Sequence, residues 1–388
     1  MRKGIWLLIS LFLLSGCHSF GNQAKEPRSS QVPKETTALS TSETKKAQAA
    51  AEKKKISQQA QKIVENMTLE EQVGQLFLAR VPEKDQLTDL EKYHLGGYLL
   101  FGRDYDGKTL DQVRAMNAEF QAHSKTPLLI ASDEEGGTVS RISAILPEPF
   151  PSPRAAYDAG GMEGVLTNVK HEAEVLKSVG IATGLFPVAD VATDPAAFIY
   201  PRTLGLDAQG TADYVSQVVT VLKKEQLGST LKHFPGYGNN ADSHVAVVRD
   251  ERSLQSLENN DFLPFAAGIK AGADSILVSH NIVTAIDPSM PASLSAPVHQ
   301  LLREKLGFEG VIMTDDMDMA GLADFISQKE AGIKALQAGN DLILSSSYAQ
   351  QIPYILEQEK AGNISKKTIA QACERVVLWK IKLGLITE

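Results

Sequence analysis

The sequence predicts an α/β fold, a (β/α)8 TIM-type barrel forming a single catalytic domain. Three observations predict it. Eight short apolar, β-branched runs each end in polar or glycine residues. Amphipathic helical stretches lie between most of them, the strand–helix alternation of a parallel sheet covered by helices. The 333 residues from 56 to 388 also fit a barrel of ~200 to more than 400 residues. A doubly wound open sheet is the runner-up, but no Gly-x-Gly-x-x-Gly follows the first run.

Taken in order, the chain opens with Arg2 and Lys3 before an apolar run, Ile5 to Leu14. That run is short of the ~20 apolar residues of a stable span, and with Ser15-Gly16 behind it reads as an export signal. Leu14-Ser15-Gly16-Cys17 resembles a bacterial lipobox, which implies lipidation at Cys17. Residues 18–55 are rich in Ser, Thr, Lys, Glu, Gln and Ala without apolar periodicity, the pattern of a disordered basic tether with nascent helix near 43–55. The expected division is a lipoprotein signal over 1–17, the tether over 18–55 and the barrel over 56–388. The chain is then exported, anchored to the membrane through Cys17 and faces the cell wall.

In the body, Thr68-x-x-Glu71 reads as a capping box opening an early helix. The eight predicted strands are Gln75–Arg80, Gly97–Arg103, Leu128–Asp133, Gly184–Val191, Ser229–Phe234, Ser275–His280, Val311–Asp315 and Asp341–Ser346. Amphipathic helices are predicted over Leu110–Ala122, Gly164–Ser178, Thr211–Glu225 and Leu294–Leu306. Cys373 lies at helical spacing from Ile369, Val376 and Val377, so it reads as a small core hydrophobe.

Composition excludes several function classes. Hydrophobic residues make up 43 % and charged residues 22 %, which rules out a fibrous or wholly disordered chain. Two cysteines cannot build a disulfide scaffold or a multi-cysteine zinc fold. The net charge of −8 conceals an acidic body with 29 Lys/Arg against 43 Asp/Glu, so nucleic acid is not the partner.

Barrel chemistry sits at the C-terminal ends of the strands. Arg103, Asp133, Asp190, Lys232, His233, His280, Asp315 and Asp316 fall there. The segment Leu231-Lys-His-Phe-Pro-Gly-Tyr-Gly-Asn-Asn-Ala-Asp-Ser-His244 ends a strand on Lys232 and His233 and then turns outward. Asp242 and His244, two positions apart, point the same way in extended chain. A carboxylate on one imidazole nitrogen raises the basicity of the other and makes a general acid/base. Val311, Met313 and Asp315 share one strand face, which carries Asp315 onto the rim. Asp316 and Asp318 read as hydrogen-bonding groups at a helix start.

The segment around Lys232–His244 resembles the KHFPGHG-x4-DSH pattern of glycoside hydrolase family 3, in the β-N-acetylhexosaminidase branch. The stretch Leu301–Asp318 is similar to the family's active-site signature, and Ser132–Arg141 to its D-x-E-G-G-x-V-x-R element. Phe186–Asp190 and Tyr200–Gly205 are similar to two further family elements. The resemblance spans about residues 65–345. It implies a nucleophile at Asp315, an acid/base at His244 and its partner at Asp242. It further implies sugar-binding roles for Asp133, Arg141, Arg202, Lys232 and His233. His280 ends a strand and reads as a pocket-lining, substrate-binding residue. Tyr237 stands where the family has a second His, and Glu134 where Gln is commoner; Thr203 and Leu204 replace Ser and Phe.

The resemblance implies a retaining exo-β-N-acetylhexosaminidase acting on cell-wall-derived β-N-acetylglucosaminides or muropeptides. Such an enzyme is expected to need no cofactor or metal and to work as a monomer. A His–Asp pair repels an anionic acceptor less than a carboxylate, which leaves room for phosphorolysis beside hydrolysis. The alternatives are a β-glucosidase of the same family, a non-catalytic sugar-binding lipoprotein, and a metal hydrolase using His233, Asp242 and His244. The first draws its acid/base from a domain after the barrel. Only 42 residues follow the eighth predicted strand, so the acid/base is expected from the Asp242–His244 loop.

Overall fold

The computed structural model describes residues 35–243 and 245–387; Cys17 and His244 lie outside the described residues. Contacts divide the chain into two units, Met1–Ala51 and Glu52–Glu388. The chain is helical from Glu35, where α1 runs Glu35–Glu65. The helix includes the stretch near 43–55 where nascent helix is expected, but starts earlier and continues past it. Ala, Lys, Glu and Gln dominate from Lys45 to Lys62, all strong helix formers, and no Gly or Pro interrupts them.

In the second unit, α2 (Leu69–Gln75) starts in the capping box read from the sequence. Glu71 N–H donates to Thr68 Oγ1 at 3.2 Å and Thr68 N–H to Glu71 Oε2 at 2.8 Å. That helix runs through Gln75, so the first strand, β1 (Phe77–Arg80), begins later than predicted. The strands that follow are β2 (Gly97–Leu100), β3 (Leu129–Ser132), β4 (Thr230–Phe234), β5 (Ser275–Val278), β6 (Val311–Thr314) and β7 (Ile343–Ser345).

All are parallel. β7 pairs with β1, β1 with β2 and β2 with β3; β4 pairs with β5 and β5 with β6. Single bridges complete the circuit: Thr183 to Ala131 and to Gly228, and Met313 to Leu342. The fourth barrel position is therefore one bridging residue and a second contact, Val188 to Lys232, instead of the strand predicted over Gly184–Val191. Leu185 adopts a left-handed conformation (φ 50) and Pro187 has no N–H to give, so a regular ladder cannot continue.

Side chains alternate between lumen and helix layer. Leu78, Leu99, Ala131, Leu277, Met313 and Leu344 pack together inside the barrel. Each buried leucine there contributes roughly 1.5–3 kcal/mol relative to exposure. Trp379, from the last helix α3 (Lys366–Lys382), joins the same cluster with Leu129 and Val311 near the strand starts. Cys373 of this helix is fully buried, and burial pushes its thiol up to about 12. The alternation places the site: two residues beyond Leu78, Leu99, Ala131 and Met313 come Arg80, Phe101, Asp133 and Asp315.

Among the described residues, no helix is long and apolar enough to cross a membrane. The helix predicted over Leu294–Leu306 is a short α turn, Ala296–Gln300, followed by a wider π turn, Leu301–Lys305.

Candidate active site

The C-terminal end of the barrel holds a pocket with about 580 Å³ of space, part of it open to solvent. Its floor is Leu99, Leu185, Leu277 and Leu344. Its polar wall includes Arg80, Asp133, Arg141, Arg202, Lys232, His233, Asp315 and Asp316. The barrel thus gathers residues far apart in sequence; Arg80 and Asp316, which touch, are 236 positions apart.

One side of the wall is built on the short hairpin Glu134–Gly136 and Val139–Ser140, directly after β3. Asp133 and Glu135 both reach Lys232: its Nζ lies 2.6 Å from Asp133 Oδ1 and 2.6 Å from Glu135 Oε1. Arg141 Nη2 approaches Asp133 Oδ2 at 3.3 Å. Arg202 grips Glu135 with two bonds, Nε to Oε2 at 2.8 Å and Nη2 to Oε1 at 2.6 Å. Burial alone would raise the Glu135 carboxyl, but Arg202 and Lys232 outweigh it and hold it well below the usual range. Lys232 is fully buried, which works against its charge, yet Asp133 and Glu135 keep it above the ordinary value. Glu134 points the other way, its buried carboxylate accepting from Ser132, from half-buried Ser140 and from the Ile142 N–H.

Asp190 organises the next sector without lining the pocket. Its Oδ2 accepts from the His233 N–H at 3.0 Å and from His233 Nδ1 at 2.7 Å, and its Oδ1 from the Tyr237 N–H at 2.7 Å. Tyr237 is fully buried and meets Ser243, one residue before His244, through its hydroxyl. Its ring stands edge-on to His233 at 5.2 Å. Tyr237 is therefore packed under the loop, behind the pocket wall and near enough to Asp315 for that charge to act on its hydroxyl.

On the opposite side, Asp315 follows β6 and accepts the Asp316 N–H on Oδ1 at 2.8 Å. Asp316 takes Arg80 Nε at 2.6 Å and holds the Asp318 N–H at 3.0 Å. Burial pushes the Asp316 carboxyl up to about 6, with Arg80 pulling against it. Asp318 lies 3.6 Å from Arg80 and accepts the Ser346 N–H at 2.8 Å. These two carboxylates hold the turn after β6. The Arg80 guanidinium also sits over the Phe101 ring at 4.6 Å.

His280 is a correction. It does not line the pocket but is buried beneath it, accepting on Nδ1 from Ser293 Oγ at 2.7 Å and donating from Nε2 to the Asp316 carbonyl at 2.9 Å. The strand ends two residues before it, so the chain has already turned away from the rim at His280. Arg103 likewise leaves the rim, bonding the Val81 carbonyl at 2.5 Å. Asp242 is partly buried in the loop after β4; His244, expected to be its partner, and Cys17, expected to be lipidated, lie outside the described residues. Among the described residues, no three His, Cys, Asp or Glu side chains form a group able to hold a metal ion.

Four cations and the carboxylates Asp133, Asp315 and Asp316 line the pocket, and Glu135, buried behind them, pairs with Arg202 and Lys232. Such a wall offers many hydrogen-bond donors and acceptors while carrying little net charge, the chemistry of a neutral polyhydroxylated ligand. Comparison with known proteins agrees. The model of the glycosyl hydrolase family 3 N-terminal domain matches residues 68–378. The chain belongs to glycoside hydrolase family 3. It is a glycoside hydrolase.

A beta-hexosaminidase of Xanthomonas campestris pv. campestris (strain B100) is 36 % identical over 261 residues, covering 64 % of this chain and 76 % of the relative. The solved family 3 beta-N-acetylglucosaminidase from Paenibacillus sp. str. FPU-7 superposes with a TM-score of 0.78 at 29 % identity, covering 83 % of this chain and 64 % of that one. The beta-N-acetylhexosaminidase from Beutenbergia cavernae DSM 12333 gives 0.72 at 27 % identity, covering 80 % and 98 %.

Three residues of the site escaped the sequence reading: Arg80 and Phe101, which line the pocket, and Glu135, buried behind its wall. Glu135 could have been found from the period-2 alternation with Asp133. Arg80 is the last residue of the first predicted strand, the same signal that singled out Asp133.

Proposed function

We propose that this chain is a retaining exo-β-N-acetylhexosaminidase, with Asp315 as nucleophile and His244, assisted by Asp242, as acid/base. The observation that carries the proposal is the position of the Asp315 carboxylate in a pocket walled by Asp133, Arg141, Arg202 and Lys232. The beta-hexosaminidase and beta-N-acetylglucosaminidase relatives support the acetamido sugar as substrate class.

In the first half-reaction an Asp315 oxygen bonds to the anomeric carbon as the bond to the leaving oxygen breaks. The His244 imidazolium gives its proton to that oxygen, and Asp242 stabilises the imidazolium beforehand. In the second half, neutral His244 takes a proton from water, whose oxygen bonds to the anomeric carbon and releases Asp315. Two displacements at one carbon retain its configuration. Asp133, Arg141 and Lys232 engage sugar hydroxyls. Arg202 acts with them, while both ring nitrogens of His233 already serve Asp190 and Arg202, which makes His233 a support. Export and anchoring through Cys17 place the enzyme beside wall-derived sugars or muropeptides.

The test is hydrolysis of 4-nitrophenyl β-N-acetylglucosaminide beside the matching β-glucoside, with the anomer of the first product followed by NMR. Preference for the acetamido sugar with a β product is expected. Equal rates, or an α product, overturn the reading. Replacement of Cys17 by Ser should move the protein from the membrane to the soluble fraction; unchanged membrane association sinks the anchor.

A further inference from the structure

The excursion from β4 that carries Asp242 leaves at Gly236 and returns at Asp250. One side chain outside the pocket joins these two ends. Arg252 Nη2 donates to the Gly236 carbonyl at 2.7 Å and to Asp250 Oδ2 at 2.6 Å. Its Nε donates to both Asp250 oxygens at 2.9 and 3.0 Å. Its Nη1 donates to both oxygens of Asp261 at 2.8 and 2.9 Å. Asp250 and Asp261 are fully buried at their side chains. The guanidinium is thus held between two buried carboxylates, with one N–H left over for the start of the loop.

The chain lies flat against this cluster. A Cβ added at Gly236 would fall 2.5 Å from Asp261 Oδ1, and one at Gly238 would fall 2.3 Å from Arg252 Nη1. Both glycines have positive φ, 118 and 55. The returning end is stitched down as well, because Arg249–Asp250 pairs in parallel with Ile282–Val283. On its outer side the loop borders an open cavity lined by Asn239, Asn240, Arg252, Ser256 and Asn260. Further along, Ser243 meets the Tyr237 hydroxyl, and the Ser243 and Ala246 carbonyls lie where a Cβ on Gly321 would fall, so the stems act together with these contacts in placing the loop.

We propose that Arg252 is a positioning residue for the acid/base, clasping Gly236 to Asp250 and so setting where Asp242 and His244 stand relative to Asp315. The inference rests on the reading of His244 as acid/base. A planar fork is needed for it. Lysine carries its three N–H donors on a single nitrogen and so cannot reproduce the two-oxygen grip on both Asp250 and Asp261 while also reaching the Gly236 carbonyl.

A clasp of this kind leaves a signature that general loss of structure does not. Protonation of the leaving oxygen matters for poor leaving groups and hardly at all for good ones. The test compares the full chain with Arg252→Lys, Arg252→Met and His244→Ala on N-acetylglucosaminides carrying 2,4-dinitrophenyl, 4-nitrophenyl and alkyl leaving groups. In the Arg252 variants kcat/KM for alkyl glycosides is expected to fall roughly 10- to 100-fold. The dinitrophenyl substrate should stay within about 3-fold, and KM should move little. If both Arg252 variants are insoluble, Gly238→Ala displaces the guanidinium while keeping every charge, and the same pattern is expected. Losses equal across leaving groups, or no loss, overturn the clasp. If His244→Ala shows the leaving-group dependence and the Arg252 variants do not, the clasp alone falls. If His244→Ala shows none, the acid/base reading falls and takes the clasp with it.

Discussion

Arg202 Nη2 lies 3.0 Å from Nε2 of His233, and Nδ1 of the same ring lies 2.7 Å from Oδ2 of Asp190. A guanidinium only donates, so Nε2 is the acceptor and the ring proton sits on Nδ1, facing Asp190. The imidazole passes the orientation set by buried Asp190 on to Arg202, which lines the pocket and grips Glu135. His233 is a link in the wall and not a reacting group.

Asp190→Asn tests that link. Asp190 accepts three N–H groups, whereas an asparagine offers one oxygen and an NH2 that faces donors. At least one buried donor is left unpaired, at about 1–3 kcal/mol. We expect a lowered thermal midpoint and a fall in kcat/KM that is the same for every leaving group. A loss confined to poor leaving groups would mean that Asp190 acts through the acid/base and not through Arg202.

The nucleophile and the acid/base separate by the same logic. Asp315→Ala should lose at least roughly 10³-fold on every substrate, because no carboxylate remains to attack the sugar. His244→Ala should keep most of its kcat/KM on the dinitrophenyl glycoside and lose on the order of 10²-fold or more on alkyl glycosides. Steady-state kinetics on both substrates decides it. Full activity of Asp315→Ala removes the nucleophile assignment.

The rim residues were legible in the sequence because strand ends announce themselves: an apolar alternation that runs out in Asp133, Lys232 or Asp315 points to the rim. The fourth barrel position was not, since a left-handed Leu185 and the following Phe186-Pro187 interrupt pairing that composition alone suggests. His280 misled for the opposite reason. It follows a clean strand by two residues, but the chain bends there, and only the fold shows its nitrogens turned to Ser293 and the Asp316 carbonyl. The Arg252 cluster had no sequence signal, because three residues within 250–261 become meaningful only when Gly236 is laid on top of them.

Glu135→Gln should be among the costliest single changes in the wall. The glutamine leaves Arg202 and Lys232 buried with one charge fewer to compensate them, and breaking such a buried group typically costs about 3–5 kcal/mol. The Glu135 carboxyl is held below the ordinary value, so its contribution is complete above the unfolded-state pKa and is lost only as pH falls through the lower folded-state value. The variant should therefore be destabilised by nearly the same amount from pH 6 to pH 8, read by urea unfolding. A destabilisation that vanishes within that range contradicts an ionised Glu135.

Lys380 gives the opposite dependence, on the far face of the barrel. It is fully buried in α3 and donates from Nζ to Gln75 Oε1 at 2.6 Å. Burial pushes its ammonium down to about 7, with Cys373 pulling slightly the other way. The unfolded chain keeps that proton up to about 10.4. Between the two values the unfolded state binds more protons than the folded state, so stability rises with pH, at about 1.4 kcal/mol per unit for one proton. Lys380→Met keeps a long, flexible apolar stem and removes the titration. Urea midpoints at pH 7, 8 and 9 should climb more steeply for the unaltered protein than for the variant. Parallel slopes would show that Lys380 stays charged where it is buried, with Gln75 and its surroundings solvating it far better than one hydrogen bond can.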